Sequence, residues 1–235
     1  MNTHIVPPPG MNPRAAIFMV EEQFFLVADV HGEIRQKFIA PGAVRQAFAA
    51  EPIDSGWLPA GVRRWGMGVK GVWMLRHHPP ATYNVWLPDR KRPLRAPMPG
   101  LVFFAQGSSY YMWAVKGDTF DPKAPLWNAP CANVSGLGLI CWGTNPHPDV
   151  ATGCFDQLWN VFWDAPFSGS WATGKSVKFP KDASARLLDL AKRKTRRYPE
   201  ADLTPLKNRL LPKPCTLDAV VELFTRRGAD ELDNN

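Results

Sequence analysis

The amino-acid sequence predicts an α+β fold, with antiparallel strands first, a long loop next and helices last. Three observations carry this reading. Between residues 15 and 115, short apolar, β-branched and aromatic runs alternate with clusters of Gly, Pro and Ser. Residues 116–145 lose that alternation and hold four Gly and three Pro. From Phe155 onward, apolar residues recur at i, i+3, i+4 and i+7. Strands followed by helices point to segregated layers and not to alternating βαβ units.

The elements follow in order. Pro7, Pro8, Pro9 and Pro13 make residues 1–14 a loose arm. Residues 15–20 and 24–30 are apolar runs separated by Glu21-Glu22-Gln23, which reads as a hairpin, and His31-Gly32 turns the chain into a third strand over residues 33–39. Pro41-Gly42 opens a short helical pattern with Val44, Ala47 and Phe48 on one face, and the Pro- and Gly-containing residues 51–59 form a linker. Five further strands are expected over residues 62–65, 71–75, 83–87, 101–105 and 110–115, each pairing with its neighbour as a meander. Phe155, Leu158, Trp159 and Phe162 mark a helix that Pro166 ends. Asp182 caps a second helix carrying Leu187, Leu188 and Ala191, with basic residues toward its negative end. Thr216 caps a third, with Leu217, Val220, Val221 and Phe224 on its apolar face and Gly228 as its stop. Residues 1–55 thus read as an N-terminal β-hairpin and short-helix extension, and residues 56–235 as the main domain with C-terminal helices.

Composition bounds the function classes. Apolar residues make up 45% of the 235 and charged residues 21%, which sets the chain apart from disordered sequences. The net charge of +7 reads first as solubility, and charge alone does not rank nucleic acid, an anionic membrane and an acidic partner against one another. The stretches Arg90-Lys91-Arg92 and 192–197 lack the aromatic interleaving of single-strand binders, and no helix-turn-helix reader is evident, so nucleic acid is not the expected partner. No apolar run approaches the roughly 18 to 20 residues that span a bilayer, and the N-terminus lacks a signal pattern, so a cytoplasmic protein with reduced thiols is expected. The four cysteines, Cys131, Cys141, Cys154 and Cys215, form no Cys-x-x-Cys pair and have no matching His spacing, which argues against structural zinc.

The candidate chemistry lies in the long loop. Asn133 precedes Cys141 by eight positions, Gly138 lies between them, and Ile140 stands directly before the cysteine. A thiolate is the attacking species in acyl transfer. An amide side chain beside it can stabilise the oxyanion that forms when the thioester is attacked, or brace the loop that holds it. A glycine between them lets the chain turn back so that the two approach. Cys131, Cys154 and Cys215 read as structural thiols. His147, in Asn145-Pro-His-Pro-Asp149, offers a Cys–His pair or a stiff surface turn, and His77-His78 reads as a strand-end turn.

These residues resemble a known loop. In ubiquitin-conjugating enzymes it runs His-Pro-Asn, a hydrophobic residue, a turn, Gly, any residue, Ile or Val, then Cys. Asn133-Val134 and Gly138-Leu139-Ile140-Cys141 fall in that register. The chain is more similar still to the prokaryotic ubiquitin-conjugating-enzyme-like family D, the B proteins of the plasmid-borne PRTRC system. That family looks like Pro-Gly-Leu-Val-Phe, a strand ending Ala-x-Lys, Pro-Leu-x-x-Ala-Pro-x-x-Asn-Val and Cys-x-Gly. Here stand Pro99 to Phe103, Ala114-Val115-Lys116, Pro125-Leu126-Trp127-Asn128-Ala129-Pro130, Asn133-Val134 and Cys141-Trp142-Gly143. The resemblance covers roughly residues 57–200. Cys131-Ala132 replaces the His-Pro of the wider triplet, as the family's own loss of that His leads one to expect.

The resemblance implies a ubiquitin-conjugating-enzyme-like fold and a cysteine thioester carrier. A ThiF-type activating enzyme would pass the C-terminus of a ubiquitin-like β-grasp protein to Cys141. An amine acceptor would then attack, with Asn133 at the oxyanion or in the loop. No cofactor is needed in this chain, because the ATP chemistry belongs to the activating partner. Two other readings remain open: a non-catalytic module that binds a ubiquitin-like protein as a scaffold, and a cysteine hydrolase using His147.

Overall fold

A computed structural model describes residues 15–20, 23–44, 58–68, 70–207 and 211–227. The proline-rich arm, Glu21-Glu22, Ala47, Phe48, most of the 51–59 linker and Gly228 lie outside the described residues. The chain divides into two compact units, residues 1–57 and 58–235.

The first unit carries an antiparallel meander of β1 (Ala15–Val20), β2 (Gln23–Val30) and β3 (Glu33–Ile39). Its second turn has the two-residue geometry that matches strand twist. His31 and Gly32 both take positive φ, 58° and 87°, and Asp29 Oδ1 accepts from the Gly32 amide at 2.8 Å. Residues 41–44 are helical, and Val44 is buried.

The second unit is built on β4 (Val62–Gly68), β5 (Gly71–His78), β8 (Gly100–Gln106), β9 (Ser109–Val115) and β10 (Trp127–Asn128), all antiparallel, in the order β10-β9-β8-β5-β4. The expected meander is interrupted. β6 (Ala81–Val85) and β7 (Leu94–Met98) pair only with each other, and β5 pairs instead with β8, Trp73 opposite Gln106 and His78 opposite Leu101. β7 gave no strand signal in the sequence because Pro97 and Arg95 sit within it. A two-stranded ribbon tolerates that proline, which stands opposite Thr82, where a central strand would lose a ladder bond. The ribbon turns its apolar side, Val85, Leu94, Ala96 and Met98, into the core that the helices share.

Strands β8 and β9 show why the run Gly100–Gln106 reads as continuously apolar. Every one of its positions is buried. Leu101, Phe103 and Ala105 of β8, with Tyr110, Met112 and Ala114 of β9, face one core. Val102, Phe104, Tyr111, Trp113 and Val115 face the other. A sheet covered on both faces needs no polar alternation. The first face is covered by α1 (Phe155–Asp164) and α2 (Ala183–Lys192), the second by α3 (Leu217–Arg227). The helices form where the apolar spacing places them. Asp182 Oδ1 accepts from the Ser184 amide at 2.8 Å and caps α2 as expected. No helix among the described residues is long and apolar enough to cross a membrane.

Candidate functional site

The stretch from Asn133 to Cys141 is a tight β-hairpin. The Cys141 amide donates to the Asn133 carbonyl at 2.8 Å, Val134 and Ile140 bridge antiparallel, and the Ser135 amide donates to Leu139 O at 2.8 Å. Gly136, Leu137 and Gly138 make the turn, closed by the Gly138 amide on Ser135 O at 3.1 Å. The Ser135 hydroxyl accepts from the Leu137 and Leu139 amides at 3.2 and 3.0 Å. A three-residue hairpin loop requires positive φ at its last position, and Gly138 has φ 101°. Gly138 also lies directly under Trp113, whose indole Nε1 donates to Leu137 O at 2.8 Å; a Cβ at Gly138 would stand 2.2 Å from that nitrogen.

The second limb of the hairpin lengthens the main sheet beyond β9. The Met112 amide donates to Gly138 O at 2.8 Å, and the Ile140 amide donates to Tyr110 O at 2.9 Å. Sheet pairing on one side and hairpin pairing on the other therefore fix the backbone that leads into Cys141. Ile140 and Trp142 on either side are buried, whereas Cys141 is half-buried. Trp142 packs edge-on to Tyr110 and Phe162, at 5.4 and 6.4 Å between ring centroids, and anchors the loop to β9 and α1. Asn145 then folds back, its backbone and side-chain amides donating to Trp142 O at 3.0 and 3.1 Å.

Two sequence-chosen residues, Asn133 and Cys141, thus come together as a cross-strand pair. Asn133 is 3% exposed, and its Oδ1 is buried without a hydrogen-bond partner among the described residues. The unpartnered atom is an acceptor, and the donor of this amide is Nδ2; buried polar atoms are as a rule satisfied, so an orphaned Oδ1 is unusual. His147 does not join the pair. Its ring lies parallel to Trp142 at 6.0 Å, its Nδ1 sits 3.1 Å from Asn145 O, and no hydrogen bond ties it to Cys141 among the described residues.

The other cysteines differ from Cys141. Cys131 is fully buried, and loss of solvent pushes its thiol up to about 12, a rise that the nearby Lys175 partly opposes. Cys154 is buried at the start of α1, its Sγ 3.3 Å from the Tyr110 hydroxyl, which donates to Pro148 O. Cys215 is half-buried, and burial raises its pKa also. Arg90, Lys91 and Arg92 are exposed; Arg193 and Arg197 make exposed ion pairs with Asp189 and Asp118, so these basic stretches are solvated faces.

One residue of the site carried no signal in the sequence. Lys175 is 2% exposed, and its Nζ donates to Ser135 O at 3.3 Å, at the base of the hairpin turn. Burial lowers its pKa to about 8. A single lysine between Gly174 and Ser176 gives no periodicity or spacing to read.

The sequence model of one protein family, described as Prokaryotic E2 family D, matches residues 36–206. It reaches back to β3, further toward the N-terminus than the motifs themselves indicate. The search of curated proteins finds no match, and neither does that of solved structures.

Proposed function

Because this chain belongs to prokaryotic E2 family D, which ties it to ubiquitin-like conjugation, we propose that it is a cysteine acyltransferase whose Cys141 carries a ubiquitin-like protein. The carboxyl terminus of that protein arrives activated by a ThiF-type enzyme. The Cys141 thiolate attacks the activated carbonyl, the carrier on the activating enzyme leaves, and a thioester forms. An acceptor amine then attacks the thioester carbonyl. Negative charge gathers on the carbonyl oxygen, where the Asn133 amide acts as donor. The intermediate collapses, the C–S bond breaks, Cys141 leaves as thiolate and the amine loses a proton. ATP is spent on the partner, so this chain needs only the thiol and the loop around it.

The observation that carries this reading is the hairpin pairing of Asn133 with Cys141 inside the stretch matched to the family. The order of antiparallel sheet, loop and helices supports a conjugating-enzyme-like fold over residues 56–235. Residues 1–55 are then an appended β-rich extension, into which the family match reaches as far as residue 36.

A second reading has one observation in its favour. Cys141 Sγ makes no hydrogen bond among the described residues, and the nearby His147 bonds to Asn145 O instead. A scaffold that binds a ubiquitin-like protein without using the thiol would have the same feature. Native-state alkylation separates the two. As a carrier, Cys141 is labelled at least about tenfold faster than Cys131, Cys154 and Cys215, because the others are buried or held up in pKa. Peptide mapping after partial labelling reads the order. Equal rates at all four, or Cys141 among the slow ones, favour the scaffold.

A further inference from the structure

Lys175 is an expensive residue. A buried ammonium without a counter-charge loses its hydration and gains little in return. Among the described residues no carboxylate pairs with Lys175. The nearby Cys131 remains a neutral thiol because burial holds its pKa at about 12, and burial keeps Tyr83 and Tyr198 protonated as well. The partner left to the ammonium is a backbone carbonyl, Ser135 O, at 3.3 Å.

That carbonyl has a particular place. It accepts the amide that closes the hairpin turn, and Ser135 stands two residues from Asn133 on the limb that pairs with Cys141. The backbone that presents Lys175 is clamped on both sides. The Gly174 amide donates to Pro180 O at 2.7 Å, and Gly174 O accepts from the Thr204 hydroxyl at 2.7 Å. Ser176 bridges Leu203, and its hydroxyl donates to Asp202 Oδ2 at 2.8 Å. Asp202 is in turn held by Arg186 Nε, Tyr198 OH and the Lys178 amide. The chain just before it also meets the loop, the Trp171 amide donating to Ala132 O at 2.9 Å. A rigid, satisfied network therefore drives a charged side chain into the core at one backbone acceptor of the reactive hairpin.

We infer that Lys175 is a positioning residue: its ammonium braces the Asn133–Cys141 hairpin from within, at the Ser135 carbonyl. The inference rests on Cys141 as thioester carrier for its catalytic consequence, but the brace itself is a property of the free chain. The cation makes the bond charge-assisted, and that assistance fades as pH rises through about 8, where Lys175 loses its proton.

The test compares the full chain with Lys175→Met, which fills similar space without charge. Apolar replacement of a buried charge is often neutral or stabilising, so the global unfolding midpoint holds or rises. Against that background the Cys141 and Gly138 amides exchange with deuterium about tenfold faster, the size of one lost charge-assisted hydrogen bond. With activating enzyme, a ubiquitin-like protein and ATP present, the variant still loads, but single-turnover discharge to an amine slows by a similar factor. The ratio of wild-type to variant discharge shrinks above pH 8. Unchanged exchange at Cys141 and Gly138 in a folded Lys175→Met overturns the brace, as does a discharge ratio flat across pH 7 to 9. Should the variant not fold, the wild-type chain decides: the Ser135 carbonyl carbon shift titrates with the Lys175 Nζ if the two are bonded, and stays constant if they are not. Failure of wild type itself to load removes the conjugating role while the exchange result still judges the brace.

Discussion

Replacing Asn133 by Ala leaves loading of Cys141 nearly intact and slows discharge of the thioester to an amine by about 100-fold, the loss typical of one oxyanion donor. Under the proposed carrier role, the two steps separate because they place different demands on the loop. Loading brings an already activated carbonyl to the thiol, and the activating partner supplies much of the environment. Discharge builds negative charge on the carbonyl oxygen at this chain's own site. Asn133 is buried, its Nδ2 is the group that would donate to that oxygen, and its backbone carbonyl holds the Cys141 amide. The backbone bond survives the substitution, so Ala removes the side-chain amide and leaves the hairpin register. Single-turnover discharge with a small amine, measured beside the loading rate, reads the difference. Equal slowing of both steps assigns Asn133 to bracing alone, and no change in either removes it from the chemistry.

Gly138→Ala is the second large effect. Gly138 combines a backbone angle that L-residues rarely adopt, φ 101°, with contact so close that a Cβ would stand 2.2 Å from Trp113 Nε1. Trp113 cannot move aside easily. It is fully buried in the middle of β9, stacks near Tyr111 and meets Phe224 of α3 edge-on. Backbone strain and overpacking together cost roughly 3 kcal/mol. The hairpin therefore shifts or the chain unfolds, and Cys141 loses its register with Asn133 in either case. The comparison is Gly136→Ala in the same turn. Gly136 is exposed, with open space where its Cβ would be, and its substitution falls within about 0.5 kcal/mol of wild type. Urea midpoints for the two variants measure the contrast; similar midpoints contradict the steric account.

Much of this architecture was legible in the sequence because single elements follow local rules. β8 and β9 read as strands from their apolar and aromatic content, and α1, α2 and α3 from the spacing of Phe155, Leu187 and Leu217 with their neighbours. The hairpin turn was legible too, since Gly138 is the one residue type that meets its backbone and space together. Strand order was not. Whether β5 pairs with β6 or with β8 depends on which ribbon buries its apolar side against α1 and α2, and adjacent sequence carries no record of that choice. Pro97 hid β7 for the same reason, because edge status is a tertiary fact. Within the site, Asn133 and Cys141 stand out by their register in a family-like loop, and the structure sets them opposite each other on the hairpin, whereas Lys175 approaches Ser135 across forty residues. His147 leaves a pair or a stiff surface turn open in the sequence; in the structure it bonds to Asn145 O and stacks on Trp142.

The central claim is that Cys141 is the acyl carrier, and one substitution tests it most directly. Cys141→Ser, incubated with ATP, a ThiF-type activating enzyme and the β-grasp protein, converts a thiol-labile adduct into an oxyester that withstands reductant and yields to alkali, at the mass of one ubiquitin-like protein added. Cys141→Ala forms no adduct, and Cys131→Ser, Cys154→Ser and Cys215→Ser keep the thioester. An adduct of unchanged lability on Cys141→Ala would place the carrier elsewhere and contradict the account.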